Sequence, residues 1–174
     1  MKARSGFVSN SSSSSFVLLF SEAPKTQPEL KRRLFGGSEV FTAYGETHST
    51  EALATIVWND LQEATERLLS AEEIQEALIS FFVVDLFWQY RRQRIAEITG
   101  ASDLDILHSV EKRVEAAVWR QAEKDAPTAA RAYAEEHQGE KAFLLTYNDR
   151  GRYGRVLDNG AVFENVTHLR ISHH

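Results

Sequence analysis

Phe16-Val17-Leu18-Leu19-Phe20 is an unbroken apolar run entered directly from five consecutive serines, Ser11 to Ser15. A run of this length and composition reads as a β-strand. It cannot stand alone, because an unpaired apolar strand leaves its backbone polar groups and its side chains without partners. The other strand signals lie at the far end of the chain. Ala142 to Tyr147 and His168 to Ser172 are strands by composition, and Gly154 to Leu157 with Ala161 to Phe163 flank Asp158-Asn159-Gly160, the chemistry of a tight hairpin. The chain therefore closes on itself. The expected fold class is α+β: a small, mostly antiparallel sheet formed by the N- and C-terminal strands, covered by a central bundle of three or four helices.

The middle of the chain supplies those helices. Pro28 to Phe35 predicts a short helix opened by proline and stopped by Gly36-Gly37, and 38–45 reads equally as a short strand or a packed loop. His48-Ser49-Thr50 then offers a cap for a helix over 50–69, where Leu53, Ile56, Val57, Leu61, Ala64 and Leu68 form one stripe. Ser70 opens a further helix, running to about Thr99, whose centre from Leu78 to Trp88 is apolar almost all round. That centre is either the middle of the core, the preferred reading, or a face that meets another chain. Asp85 within it is the candidate buried charge, to be paired by Arg91, Arg92 or another helix. Ser102 to Asp105 resembles a capping box for a third long helix, which Pro127 kinks or divides.

At 174 residues the chain is expected to form a single domain, 1–174, with 1–15 as a serine-rich arm. Its 43% hydrophobic and 26% charged content is that of an ordinary folded protein. Cysteine is absent, which removes disulfides, thiolate ligands and cysteine nucleophiles together. No secretory leader or membrane span is read, and a cytoplasmic setting is the expectation. A net charge of -5 argues against bulk nucleic-acid binding, although residues 1–35 carry +4 and the remainder -9. A basic arm on an acidic body suits an anion or the acidic face of a neighbouring copy, so a homo-oligomer or a protein partner is considered.

Any site is expected where the two ends meet. If the last strand runs antiparallel to Phe16–Phe20, its end falls beside the serines. The candidate binding residues are Asn10, Ser11, Ser12, Ser13, Ser14, Ser15, Arg170, His173 and His174. Hydroxyls beside imidazoles suit nucleophilic catalysis or the holding of an anion or metal. A regular strand, however, points His173 and His174 to opposite faces, with His168, Arg170 and Ser172 sharing one, and a terminal His-His is also what a trimmed purification tag leaves. His168, His173, His174, Asp149, Asp158 and Glu164 show no metal-ligand spacing, so no metal is assigned, and the cofactor, the catalytic residues and the question of enzymatic activity stay open. The serine run itself reads as a flexible linker, as a strand that adds to a neighbour's sheet edge, as a phosphate-cradling loop or as a phosphorylation tract.

The stretch Gly6-Phe-Val-Ser-Asn-Ser-Ser-Ser-Ser-Ser-Phe16 resembles the opening of a group of uncharacterised bacterial and bacteriophage proteins, some of which also close on an apolar strand ending in Ser-His-His, as Ile171 to His174 does here. The resemblance implies that the histidines are native and that both termini belong to one design. It carries no activity. The leading expectation is a non-enzymatic interaction or assembly protein of bacterial or phage origin with an ordered serine-rich start. The alternative is an enzyme or an anion- or metal-binding protein with its site at the junction of the serines and the C-terminal histidines.

Overall fold

Residues 13–98 and 104–173 are described by the computed structural model. The apolar run is a strand that begins within the serines: β1 spans Ser13–Phe20. Next comes α1, Gln27–Phe35, which is capped by the Thr26 side chain, carries proline in its first turn and ends at Gly36 with φ 64°. The ambiguous stretch is a hairpin of β2 (Val40–Ala43) and β3 (Glu46–Ser49), and Ser49 then caps α2, Thr50–Glu63. This helix stops short of the expected Leu69. Ala64 turns extended, and Arg67–Leu68 forms a two-residue strand, β4, at an edge of the main sheet. Strand pairing overrides the helical spacing that includes Leu68, and the Glu66 carboxylate meets Lys141 Nζ at 2.9 Å beside it.

Two long helices follow, α3 (Glu72–Ile98) and α4 (Leu104–Glu136). Pro127 lies inside α4 without dividing it; its position is exposed, so the missing backbone bond falls on the solvent side. The expected capping-box serine, Ser102, lies outside the described residues. β5, Lys141–Asn148, then returns the chain to the sheet.

The expected hairpin at 154–163 is instead helical: α5 spans Gly154–Asp158, Ala161–Phe163 is a 3-10 turn, and Gly160 between them takes φ 75°. The reason is burial of neighbours in pairs. Val156 with Leu157, and Val162 with Phe163, are all buried, whereas a strand would send one of each pair outward. Gly160 also lies so close to the Phe16 ring that a Cβ there would sit 2.6 Å from Phe16 Cε1. The last element is β6, Thr167–His173.

The sheet order is β4-β5-β1-β6, so the first strand of the chain is central. It pairs antiparallel with both β5 and β6, in registers that set Ser13 opposite Asn148 and His173, and Phe16 opposite Leu145 and Arg170. One face of β1 presents Ser14, Phe16, Leu18 and Phe20 together with Phe143, Leu145 and Tyr147 of β5. Leu30 and Leu34 of α1, Leu53, Val57 and Leu61 of α2, and Val162 and Phe163 complete this core. The other face carries Ser13, Ser15, Val17 and Leu19, with Val17 fully buried.

Two compact units result. One comprises the described residues of 1–67 and 140–174, with the sheet, α1, α2 and α5; the other is Leu68–Gly139, in which α3 and α4 pack against each other as a hairpin. The fold is α+β, with a four-stranded antiparallel sheet that joins N- and C-terminal strands and with helices drawn from between them.

Candidate functional site

The two chain ends do meet in the sheet, with Ser13 opposite His173 and Ser14 opposite Ser172. The register divides the serines between faces, however. Ser14 and Arg170 share the face that holds Phe16, while Ser13, Ser15 and the His173 position belong to the other. Ser14 is fully buried and its Oγ accepts a bond from Arg170 Nε at 3.2 Å, a charge-assisted tie between β1 and β6. Ser15 Oγ lies 2.9 Å from Thr146 Oγ1, a matching tie between β1 and β5. Both hydroxyls therefore lace the sheet. With β5 on one side and β6 on the other, Ser13–Ser15 have no open backbone edge to offer a neighbour. Asn10, Ser11, Ser12 and His174 lie outside the described residues, as does the side chain of His173.

His168 is held away from the serine end. Its Nδ1 contacts the Val166 carbonyl at 3.0 Å, and its ring packs on Phe16 and Phe163 with centroids 6.3 and 6.0 Å apart. Below Ser14 lies Tyr147, whose buried Oη has no hydrogen bond among the described residues. Burial first, and then the Asp60 carboxylate, push its phenol pKa far above the usual tyrosine range. Among the described residues, no three histidine, aspartate or glutamate side chains lie close enough to hold a metal.

Two other surfaces stand out. The first is the turn after β5, in which Gly151 takes φ 79° and Arg150 N donates to Asn148 Oδ1 at 3.0 Å. Gly154 closes it, since a Cβ there would sit 2.6 Å from the Asp149 carbonyl carbon. Arg152 stacks over Tyr153 at 5.4 Å, and Arg155 over Tyr44 at 5.3 Å. Tyr153 in turn lies 5.7 Å from the buried ring of His48.

The second is the α3–α4 hairpin. Phe82 against Tyr133 and Tyr90 Oη donating to Asp125 at 3.0 Å mark the side of α3 that faces α4, while Arg91, on the azimuth of Val84 and lying over the Trp88 ring, reaches across to Glu115 with Nε 3.2 Å from its carboxylate. On α4, Val118, Ala122, Ala126 and Ala130 form a buried stripe of mostly small residues. Helical rotation turns Ala77, Phe81, Val84 and Trp88 to the other side of α3. Of the run Leu78 to Trp88, Leu78 is fully buried and no residue from Phe81 to Trp88 is, so the preferred assignment of this run to the core holds at its start and is corrected for the rest: its apolar surplus exceeds what one partner helix covers. Val84 is 40% exposed, Trp88 48% and Trp119 40%, with Phe87 in edge contact with both tryptophans. Asp85 is met by Gln89 Nε2 at 2.6 Å rather than by an arginine.

No family model, curated protein or solved structure matches this chain. Among the described residues, no helix is long and apolar enough to cross a membrane. The apolar run Phe16–Phe20 signalled a strand, whose start within the serines and central place in the sheet were not read. The aromatic hairpin face was legible as an all-round apolar helix, whereas the arginine turn shows in the sequence only as the dense Arg150-Gly-Arg-Tyr-Gly-Arg155.

Proposed function

We propose that this chain is a non-enzymatic interaction and assembly protein, and that its α3–α4 hairpin joins a second copy of itself. The observation that carries this reading is the apolar row of Val84 and Trp88 on α3 and Trp119 on α4, all three exposed, with the partly buried Phe81 continuing it along α3. Two helices cover only part of each other's apolar surface, and four arranged as a bundle cover nearly all of it.

Charge along α3 favours a second copy over an unrelated partner. The helix begins with Glu72, Glu73 and Glu76, continues through the apolar centre and ends with Arg91, Arg92 and Arg94. An antiparallel two-fold contact centred near Val83 lays the acidic start of one helix against the basic end of the other, as an isologous interface requires. The same contact sets small Ala77 opposite Trp88. The hairpin face, about 40 Å long and two helices wide, offers roughly 700 Å², near the ~800 Å² per partner of a standard interface.

A bacterial or phage origin belongs to this reading and is supported by the resemblance of residues 6–16, with the cytoplasm as the default setting of a cysteine-free chain. The alternative of a catalytic or anion site among the serines draws less support, since the Ser14 hydroxyl is enclosed and already bonded. Sedimentation velocity at about 50 µM tests the proposal. A dimer is expected, with Trp88→Glu shifting it to monomer while far-UV circular dichroism stays unchanged. A monomeric wild-type chain, or a dimer indifferent to Trp88→Glu, overturns it.

A further inference from the structure

The turn 148–155 carries three arginines whose placement serves nothing yet described. Arg150, Arg152 and Arg155 are exposed and make no ion pair among the described residues, on a chain with net charge -5. Nearby carboxylates are Asp149, exposed on the same turn, Asp158, buried at the end of α5, and Glu46, two residues from Tyr44 and 3.6 Å from His48 Nε2. The guanidinium carbons of Arg152 and Arg155 lie over tyrosine rings at 5.4 and 5.3 Å from the centroids, which localises each cation on an aromatic face while its N–H donors remain for a phosphate. The turn is held in shape by Gly154 packed on the Asn148–Asp149 backbone, so the donors are presented by a fixed loop.

Tyr44 adds an independent observation. It is the one non-glycine with positive φ among the described residues, at 55°, and with Gly45 at 79° it forms the two-residue turn of the β2–β3 hairpin. Such turns favour Asn-Gly, and a bulky aromatic residue is disfavoured in left-handed backbone. The hairpin therefore carries at its tip a ring that the turn itself does not want, 49% exposed and stacked on Arg155. Strain of this kind marks a position held for something other than local stability.

We infer that Arg150, Arg152, Arg155 and Tyr44 form a binding surface for a short segment of single-stranded nucleic acid. The guanidinium groups take successive phosphates, and the free side of the Tyr44 ring and the stacked guanidinium planes take bases. The acidic remainder of the chain keeps the contact short and strongly dependent on salt. Three phosphate contacts give a slope of log K against log salt of about -2.

Fluorescence anisotropy with end-labelled twelve-nucleotide oligo-dT and oligo-U tests this between 50 and 200 mM salt. Wild-type binding is expected at low salt. The triple variant Arg150→Gln, Arg152→Gln, Arg155→Gln should weaken it at least tenfold and flatten the salt dependence. Tyr44→Asn should raise or leave unchanged the thermal midpoint, because it relieves the turn, while weakening binding severalfold with the salt slope kept; a merely structural tyrosine would not separate these two readouts. No binding at about 100 µM protein, binding indifferent to the arginines, binding indifferent to Tyr44, or displacement by inorganic polyphosphate as effective per phosphate as by the oligonucleotide each overturns the inference.

Discussion

Ser14 and Tyr147 sit opposite each other in the sheet, and each carries a buried oxygen with a different fate. Ser14 Oγ accepts from Arg170, so Ser14→Ala strands a partly buried guanidinium donor and should cost about 1–2 kcal/mol in urea unfolding. Tyr147 Oη has no such bond, so Tyr147→Phe should leave stability at neutral pH unchanged or raised. It should also change the alkaline limb. The folded phenol pKa lies far above the unfolded value near 10, so the fold retains a proton that the unfolded chain releases. That contribution is complete below pH ~10 and is lost as pH rises beyond it. Thermal midpoints between pH 8 and 11 should therefore fall less steeply for Tyr147→Phe than for the wild type. The serine run itself shows how residue chemistry misleads. Hydroxyls in series suggest a site, yet strand alternation sends Ser14 one way and Ser13 and Ser15 the other, and that depends on a register that only pairing partners set.

At the scale of elements, α3 is the unusual one. If its acidic start meets the basic end of another copy, Arg92→Glu should weaken the dimer severalfold, as should Glu73→Arg, and the double exchange should restore much of the loss. Sedimentation equilibrium at two salt concentrations reads this, with the single variants losing the wild type's sensitivity to salt. The spacing of Leu53, Ile56, Val57 and Leu61 made α2 legible, and Pro28 and Ser49 made the starts of α1 and α2 legible, because first-turn prolines, caps and stripes are local; the Thr26 cap itself was not read. β4 and α5 were not. Arg67–Leu68 is a strand by virtue of its position at the sheet edge, and 154–158 is helical because Val156 and Leu157 must both enter the core. Neither cause is written in the segment itself, and Asp158-Asn-Gly160 carries equally good chemistry for a hairpin and for the left-handed end of a helix.

For the molecule as a whole, the joining of both chain ends in one sheet followed from the need of Phe16–Phe20 for partners, and β1 takes them on both sides. The sheet unit fills its core with Phe16, Phe163 and the leucines of α1 and α2, whereas the α3–α4 unit leaves its aromatic row open. That contrast is the basis for assigning association to the hairpin. The chain has no cysteine, so one introduced thiol reports a single contact. Val84→Cys lies close to the proposed two-fold axis, whereas Leu144→Cys is exposed on β5 and belongs to the sheet unit rather than to the hairpin. Under mild oxidation, Val84→Cys should form a disulfide-linked dimer rapidly and nearly completely while Leu144→Cys stays monomeric on a non-reducing gel. A Val84→Cys chain that stays uncrosslinked, or crosslinks no faster than Leu144→Cys, would contradict it.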